Sequence, residues 1–102
     1  MDRLALLQKF VADKPDDPFA RYGLAMELSK RGLAAEADAA FVELMTRHPS
    51  YVPAYLMAGN ARLARGDRDG AREVFTRGVA AATAAGDSHA LGELQAARAA
   101  LD

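Results

Sequence analysis

The chain has 102 residues, of which 51% are hydrophobic and 26% charged, with a formal net charge of −1 and no cysteine. This length suits one domain with a buried core, and the near-neutral balance disfavours a nucleic-acid-binding domain, which is usually strongly basic. Without cysteine there is no disulfide framework, thiolate metal site or thiol nucleophile.

Hydrophobic periodicity predicts that the chain is all-α. Apolar residues recur at helical spacing, and no segment alternates between apolar and polar residues with a period of two. In chain order, the predicted helices are Asp2–Asp13, Pro18–Arg31, Ala34–Arg47, Val52–Arg65, Arg68–Ala84 and Ser88–Leu101. The sequence therefore predicts six helices and no sheet.

The predicted helix ends carry recognisable capping residues. Asp17 is the predicted N-cap of the second helix, and Ser50 that of the fourth. Either Asp67 or Asp69 is predicted to cap the fifth helix, and Gly86 to end it. These signals divide the chain at short turns rather than at long linkers.

The sequence repeats itself with a period of 34 residues. This shift pairs Pro15 with Pro49, Arg31 with Arg65, Gly32 with Gly66, Ala37 with Ala71, Phe41 with Phe75, Leu7 with Phe41 and Phe10 with Leu44. The paired glycines suit left-handed helix ends, and the paired alanines suit close helix approach. The paired prolines end the preceding helix, because a residue before proline avoids the α region. The matches indicate stacked helix pairs.

These positions resemble the tetratricopeptide repeat, a 34-residue family whose helix pairs stack into a solenoid. The resemblance implies an all-α solenoid of about six antiparallel helices with right-handed superhelical stacking. It divides a single domain, 1–102, into an N-terminal half-repeat helix at 1–14, repeats at 18–51 and 52–85, and a C-terminal capping helix at 87–102. The sequence departs from the family at Arg21, the fourth position of the first repeat, where an aromatic residue such as Tyr55 is usual.

The resemblance also implies a non-enzymatic scaffold or adaptor that binds a protein partner. Family members bind a peptide or helix in a concave groove formed by the first helix of each repeat. The partner-binding residues that the resemblance implies here are Phe19, Tyr22, Met26, Lys30, Leu56, Asn60 and Leu63. This mostly apolar set, with Lys30 and Asn60 as polar groups, suits an amphipathic helix or an extended peptide.

Two observations limit this interpretation. One branch of the family clamps a peptide's C-terminal carboxylate, but Tyr22, Met26 and Met57 occupy three of the clamp positions, which disfavours that ligand. Apolar residues at helical spacing can also be core residues, and the first helix could cover part of the groove.

Two alternatives stay open at this stage. The chain could be a structural or self-associating subunit of a larger assembly, forming a weak homo-oligomer. It could also bind an acidic partner or anion through arginines that are interleaved with acidic residues. Those arginines are Arg62, Arg65, Arg68 and Arg72, and the acidic residues are Asp67, Asp69 and Glu73.

Signals for chemistry are weak, and no catalytic residue, metal ligand or cofactor is predicted. His48 and His89 lie 41 residues apart and belong to no metal-binding motif. A calcium loop starting at Asp67 would need glutamate where Gly78 stands. No apolar run approaches the roughly 18 residues of a membrane span, so no membrane insertion is expected, and we expect a cytoplasmic location.

Overall fold

The computed structural model describes residues 2–102, and all the regular structure in that range is helical. Its helices are α1 (Arg3–Asp13), α2 (Pro18–Lys30), α3 (Ala34–Arg47), α4 (Pro53–Ala64), α5 (Arg68–Ala85) and α6 (Ser88–Ala99). The predicted all-α class is confirmed, and the helix ends differ from the predicted ones by no more than one or two residues.

The helices form two compact units, the first ending at His48 and the second beginning at Pro49. In the first unit α2 packs against both α1 and α3. In the second unit α4 and α5 pack against each other, and α6 packs against both. The predicted assignment of residues 1–102 to one domain with four segments stays a prediction.

Glycines end α2, α4 and α5 in the left-handed conformation, as predicted. The φ angles are +76° at Gly32, +85° at Gly66 and +68° at Gly86. The amide following each glycine donates to the carbonyl five residues earlier, at 2.9–3.0 Å. This is the Schellman arrangement, which satisfies carbonyls at the end of a helix and needs a residue that tolerates positive φ.

Aspartates cap three of the helices. The side chain of Asp17 accepts from the Phe19 amide at 2.9 Å, as predicted for α2. Asp67, rather than Asp69, caps α5 and accepts from the Gly70 amide at 2.9 Å. Asp87 caps α6 through the Ala90 amide at 3.0 Å.

The predicted Ser50 cap of α4 is wrong. The residue before α4 is Val52, whose backbone is already helical, and it makes no side-chain cap hydrogen bond. The Ala54 and Tyr55 amides donate instead to the carbonyls of Tyr51 and Val52, both at 3.2 Å. A tight turn thus satisfies the first donors of α4, which removes the need for a hydroxyl cap.

The departure at Arg21 leaves a repeated contact in place. The Tyr55 hydroxyl donates to the carbonyl oxygen of Pro49 at 2.6 Å. One repeat earlier, Nε of Arg21 donates to the carbonyl of Pro15, also at 2.6 Å. The guanidinium therefore makes the hydrogen bond that an aromatic hydroxyl makes in the second repeat.

Buried apolar side chains form the core of each unit. Phe41, Leu44 and Met45 of α3 are no more than 1% exposed. In the second unit Phe75 is fully buried against Gly59, where a Cβ atom would collide with the ring. The contact of Phe75 with Gly59 holds α5 against α4, one of the two helices that carry the predicted site.

Candidate functional site

Four of the predicted partner-binding residues line one groove in the first unit. This groove, which we call the α2 groove, has a volume of about 610 Å³. It is lined by Arg3, Phe19, Tyr22, Gly23, Met26, Glu27 and Lys30. The spacing of three or four residues along α2 brings Phe19, Tyr22, Met26 and Lys30 onto one stripe.

Exposure differs sharply between the two faces of α2. Phe19 is 74% exposed and Lys30 is exposed, while Tyr22 and Met26 are half-buried. Ala25 on the other side is fully buried. The Asp17 cap and Pro18 set where the helix begins, and so they fix which side chains reach the groove.

The α2 groove also contains a buried carboxylate that the sequence analysis did not identify. Glu27 is only 8% exposed. Its Oε2 atom accepts from Nε of Arg31 at 2.9 Å, and its Oε1 atom accepts from Nε of Arg3 at 3.0 Å. The hydrogen bond from Arg31 is the main reason why the pKa of Glu27 is lowered. The i, i+4 spacing to Arg31 was readable in the sequence, but the contact with Arg3 was not.

The ion pairs at Glu27 extend to Asp2. Nη1 of Arg31 donates to Oδ2 of Asp2 at 3.1 Å, so Arg31 bridges two carboxylates. The pKa of Asp2 is lowered, mainly by this hydrogen bond, and the pKa of Arg31 is raised above its ordinary value. Among the residues that line the α2 groove, Arg3 and Lys30 are positively charged and Glu27 is negatively charged. The lining of the groove therefore has a net charge of +1.

The other three predicted site residues lie on α4 in the second unit. Leu56 and Leu63 are half-buried, and Asn60 between them is exposed. The buried face of α4 contains Ala54, Tyr55, Ala58 and Gly59 instead. The predicted residues therefore share the accessible side of α4.

A second cavity in the first unit lies beside the α2 groove, between α1 and α2. Its volume is about 500 Å³, and it shares Arg3, Phe19 and Gly23 with the α2 groove. Leu6 and Phe10 of α1 also line it and are 38% and 47% exposed. The first helix therefore presents apolar surface of its own.

Comparison with known proteins identifies the family. No family model matches the sequence. The chain is 32% identical over 88 residues to a TPR repeat-containing protein of Pseudomonas aeruginosa, covering 86% of this chain and 84% of that protein. The chain belongs to the tetratricopeptide repeat (TPR) family.

Solved TPR structures have the same fold. The solution structure of a TPR domain protein from Salinibacter ruber is 35% identical, with a TM-score of 0.82, over 87% of this chain and 90% of that one. The crystal structure of the Salinibacter ruber protein gives a TM-score of 0.77 and covers 83% of this chain and 96% of that one. The solution structure of a Bordetella parapertussis protein, 26% identical, gives a TM-score of 0.82 and covers 99% of this chain and 88% of that one. TPR proteins are generally protein-interaction modules and typically non-enzymatic scaffolds.

The arginine cluster of this TPR chain makes contacts within the second unit. Nη2 of Arg68 donates to the Leu101 carbonyl at 2.7 Å, and Nη2 of Arg72 donates to the same carbonyl at 3.2 Å. Arg72 also forms an ion pair with Asp102, and Arg62 donates to a main-chain carbonyl at 3.4 Å. Asp102 neutralises one of these positive charges, and the main-chain carbonyls occupy N–H donors that an acidic partner would otherwise use.

The described part of the TPR chain shows no concentration of metal-binding side chains. Within residues 2–102, no three His, Cys, Asp or Glu residues come together in a way that could hold a metal ion. His89 pairs with Glu93 one turn along α6, with 3.0 Å between Nε2 and Oε1, and His48 lies at the C-terminus of α3. None of the helices in that range is long and apolar enough to cross a membrane.

Proposed function

We propose that this TPR chain is a non-enzymatic adaptor that binds a peptide or helix of a protein partner. Its proposed contact residues are Phe19, Tyr22, Met26 and Lys30 on α2 and Leu56, Asn60 and Leu63 on α4. The observation that carries the proposal is the α2 groove, where apolar side chains at helical spacing are accessible to solvent. A cytoplasmic location belongs to the same proposal, and the lack of cysteine is compatible with it.

The side chains of the α2 groove define the chemistry of the ligand. Phe19 keeps 74% of its surface exposed, and covering such an aromatic ring with an apolar group is favourable. Met26 adapts to ligands of different shape because its side chain is unbranched and flexible. The positive charge of Lys30 favours an acidic residue at one end of the ligand. The expected ligand is thus an apolar segment with a carboxylate near Lys30.

A peptide selection with matched variants tests this function. Random peptides displayed on phage are selected against the full chain, and the affinity of a selected synthetic peptide is measured by calorimetry. Tyr22→Ala and Leu56→Ala should each weaken binding about five- to thirtyfold, as expected for apolar contact residues. Val42→Ala is the control, because Val42 is 40% exposed on α3 and is not a proposed contact.

Three results would contradict the proposed function. The selection could yield no specific peptide, the Val42→Ala control could lose as much affinity as Tyr22→Ala, or neither contact variant could lose any. Circular dichroism of each variant shows whether helical content is kept. A salt titration separates the α2 groove from an arginine site, because apolar binding changes little with ionic strength whereas an arginine site weakens steeply.

A further inference from the structure

Helix α1 differs in burial from its counterparts in the repeat. None of its residues is buried, whereas α3 contains four buried residues and α5 contains five. Phe10 is 47% exposed, while Leu44, one repeat later, is fully buried. Leu7 is half-buried, while its counterpart Phe41 is 1% exposed. The face that is covered in α3 and α5 is therefore open in α1.

The open face of α1 carries an ordered pattern of charge. Arg3, Leu6, Phe10 and Asp13 are spaced by three, four and three residues, so they follow one side of the helix. We call these four residues the α1 stripe. It is basic at the N-terminal end, apolar in the middle and acidic at the C-terminal end. All four residues line the cavity of about 500 Å³ between α1 and α2.

We propose that the α1 stripe binds the α1 stripe of a second copy of this chain, with the two helices antiparallel around a twofold axis. In such an interface each contact occurs twice, because residue i meets residue j and j meets i. Leu6 then packs against Phe10 of the partner subunit, and Arg3 lies opposite Asp13 of the partner subunit. The stripe is complementary to itself in this orientation.

Charge selects this register over its neighbours. A slip of one residue in one direction would put Arg3 opposite Lys14, which places two positive charges together. A slip in the other direction would put Leu6 opposite Lys9. A parallel arrangement would put Arg3 opposite another Arg3. Like charges and desolvated lysines oppose all three alternatives.

The existing ion pairs of the stripe are compatible with the dimer. Arg3 contacts Glu27 through Nε, and its side chain is 70% exposed. A guanidinium has five N–H donors, so one Arg3 can serve both Glu27 and a second carboxylate. Asp13 pairs with Nζ of Lys9 at 2.9 Å, and both side chains are 58% exposed. Both ends of the stripe can therefore reach a partner without first losing a buried contact.

The length of α1 limits the strength of this dimer. Its 11 residues span about 16 Å at the usual rise of 1.5 Å per residue. An interface built on one such helix pair falls in the small class, below about 1,200 Å² in total. We expect a reversible dimer with a dissociation constant on the order of micromolar. Arg3 also lines the α2 groove, whereas Leu6, Phe10 and Asp13 do not, so Phe10→Glu can abolish dimerisation while peptide capture is kept.

Sedimentation of the full chain from micromolar to millimolar concentration tests the apolar part of the stripe. Wild type should shift from monomer to dimer, and Phe10→Glu should weaken association at least about thirtyfold, as expected for a central interface residue. Val42→Glu is the control, because Val42 is 40% exposed on α3, away from the stripe. A wild type that stays monomeric overturns the proposal, as does a Val42→Glu variant that dissociates as much as Phe10→Glu.

Reversing the charges at Arg3 and Asp13 tests the antiparallel orientation of the two α1 helices. Asp13→Lys and Arg3→Glu should each weaken self-association, because each places like charges opposite one another twice. An equimolar mixture of the two variants should recover dimers, since Arg3 then meets Asp13 on one side and the substituted Lys and Glu meet on the other. Circular dichroism and urea denaturation check that both variants stay folded, because Arg3→Glu also removes the ion pair with Glu27. If the folded variants form no dimer when mixed, the antiparallel register is wrong and the proposal falls.

Discussion

Glycine has opposite consequences at two helical positions of this chain, depending on what lies beside it. At Gly59 a Cβ atom would overlap the ring of Phe75. At Gly92 in α6, no atom beyond the adjoining helix backbone lies within 4 Å of a Cβ. Alanine favours a helix over glycine by up to about 1 kcal/mol, whereas overpacking a core costs about 1–3 kcal/mol. Packing therefore decides the sign of the stability change on replacing Gly59 by alanine, and helix propensity decides it at Gly92.

We predict that Gly59→Ala lowers the free energy of unfolding by about 1–2 kcal/mol, because overpacking exceeds the gain in helix propensity. Gly92→Ala is the matched control and should raise the same quantity by about 0.5–1 kcal/mol. Urea denaturation followed by circular dichroism measures both. A Gly59→Ala chain as stable as wild type would mean that Phe75 moves aside without cost.

The predictions for single residues were correct where the conformation or capping role of a residue depends on its neighbours in the chain. Gly32 adopts a left-handed conformation because a helix end requires it, and Asp17 caps α2 because the amides it binds lie two and three residues away. The prediction that Ser50 caps α4 was wrong, because a backbone turn satisfies the first N–H donors of that helix. The burial of Glu27 was missed because Arg3, which covers it, is 24 residues distant.

At the scale of elements, Glu27 links α1 to α2. Arg3 belongs to α1, while Glu27 belongs to α2, and Arg31 caps the C-terminus of α2. The pKa of Glu27 is lowered in the folded chain, so the unfolded chain takes up this proton at a higher pH. The stabilisation from Glu27 is therefore complete above the unfolded pKa of about 4.3 and is lost as the pH falls through the lower folded value.

We predict that Glu27→Gln lowers the urea midpoint at neutral pH, because Arg3 and Arg31 lose the charge they bind. The difference between wild type and variant should stay constant from pH 7 to about 5 and shrink below about 4, where wild-type Glu27 also becomes neutral. Glu43→Gln is the control and should lower the midpoint less, because Glu43 pairs with Arg47 of the same helix and both side chains are exposed. A wild-type–Glu27→Gln difference that does not change with pH would contradict this account.

At the scale of the whole molecule, the repeat made the architecture predictable but not which apolar surfaces stay exposed. Matched prolines, glycines, alanines and phenylalanines in one order, at a period of 34 residues, were enough to indicate stacked helix pairs. The same register places Phe10 at the position of Leu44, which suggests a buried residue, yet Phe10 is 47% exposed. Periodicity shows which side of a helix is apolar, but whether that side is covered depends on which other helices are present.

This uneven burial predicts a gradient of local stability along the chain. In α5 the side chains of Ala71, Val74, Phe75 and Ala82 are fully buried, so opening this helix exposes core surface. Opening α1 exposes no buried side chain of α1 itself and uncovers only the α2 residues that it contacts, such as Glu27. Local opening costs less where fewer buried contacts are lost. Amides in the middle of α1 should therefore exchange with deuterium on the order of a hundredfold faster than those in the middle of α5.

Protein concentration separates this gradient from self-association. Hydrogen exchange followed by mass spectrometry on peptides from α1 and α5 gives both rates in one sample. If α1 pairs with α1 of a second copy, its amides should become more protected as the concentration rises, because binding to the folded form alone opposes opening. The Phe10→Glu chain should lack this dependence while keeping the slow exchange of α5. Equal protection of α1 and α5 in a dilute wild-type sample would show that burial does not set the order of opening.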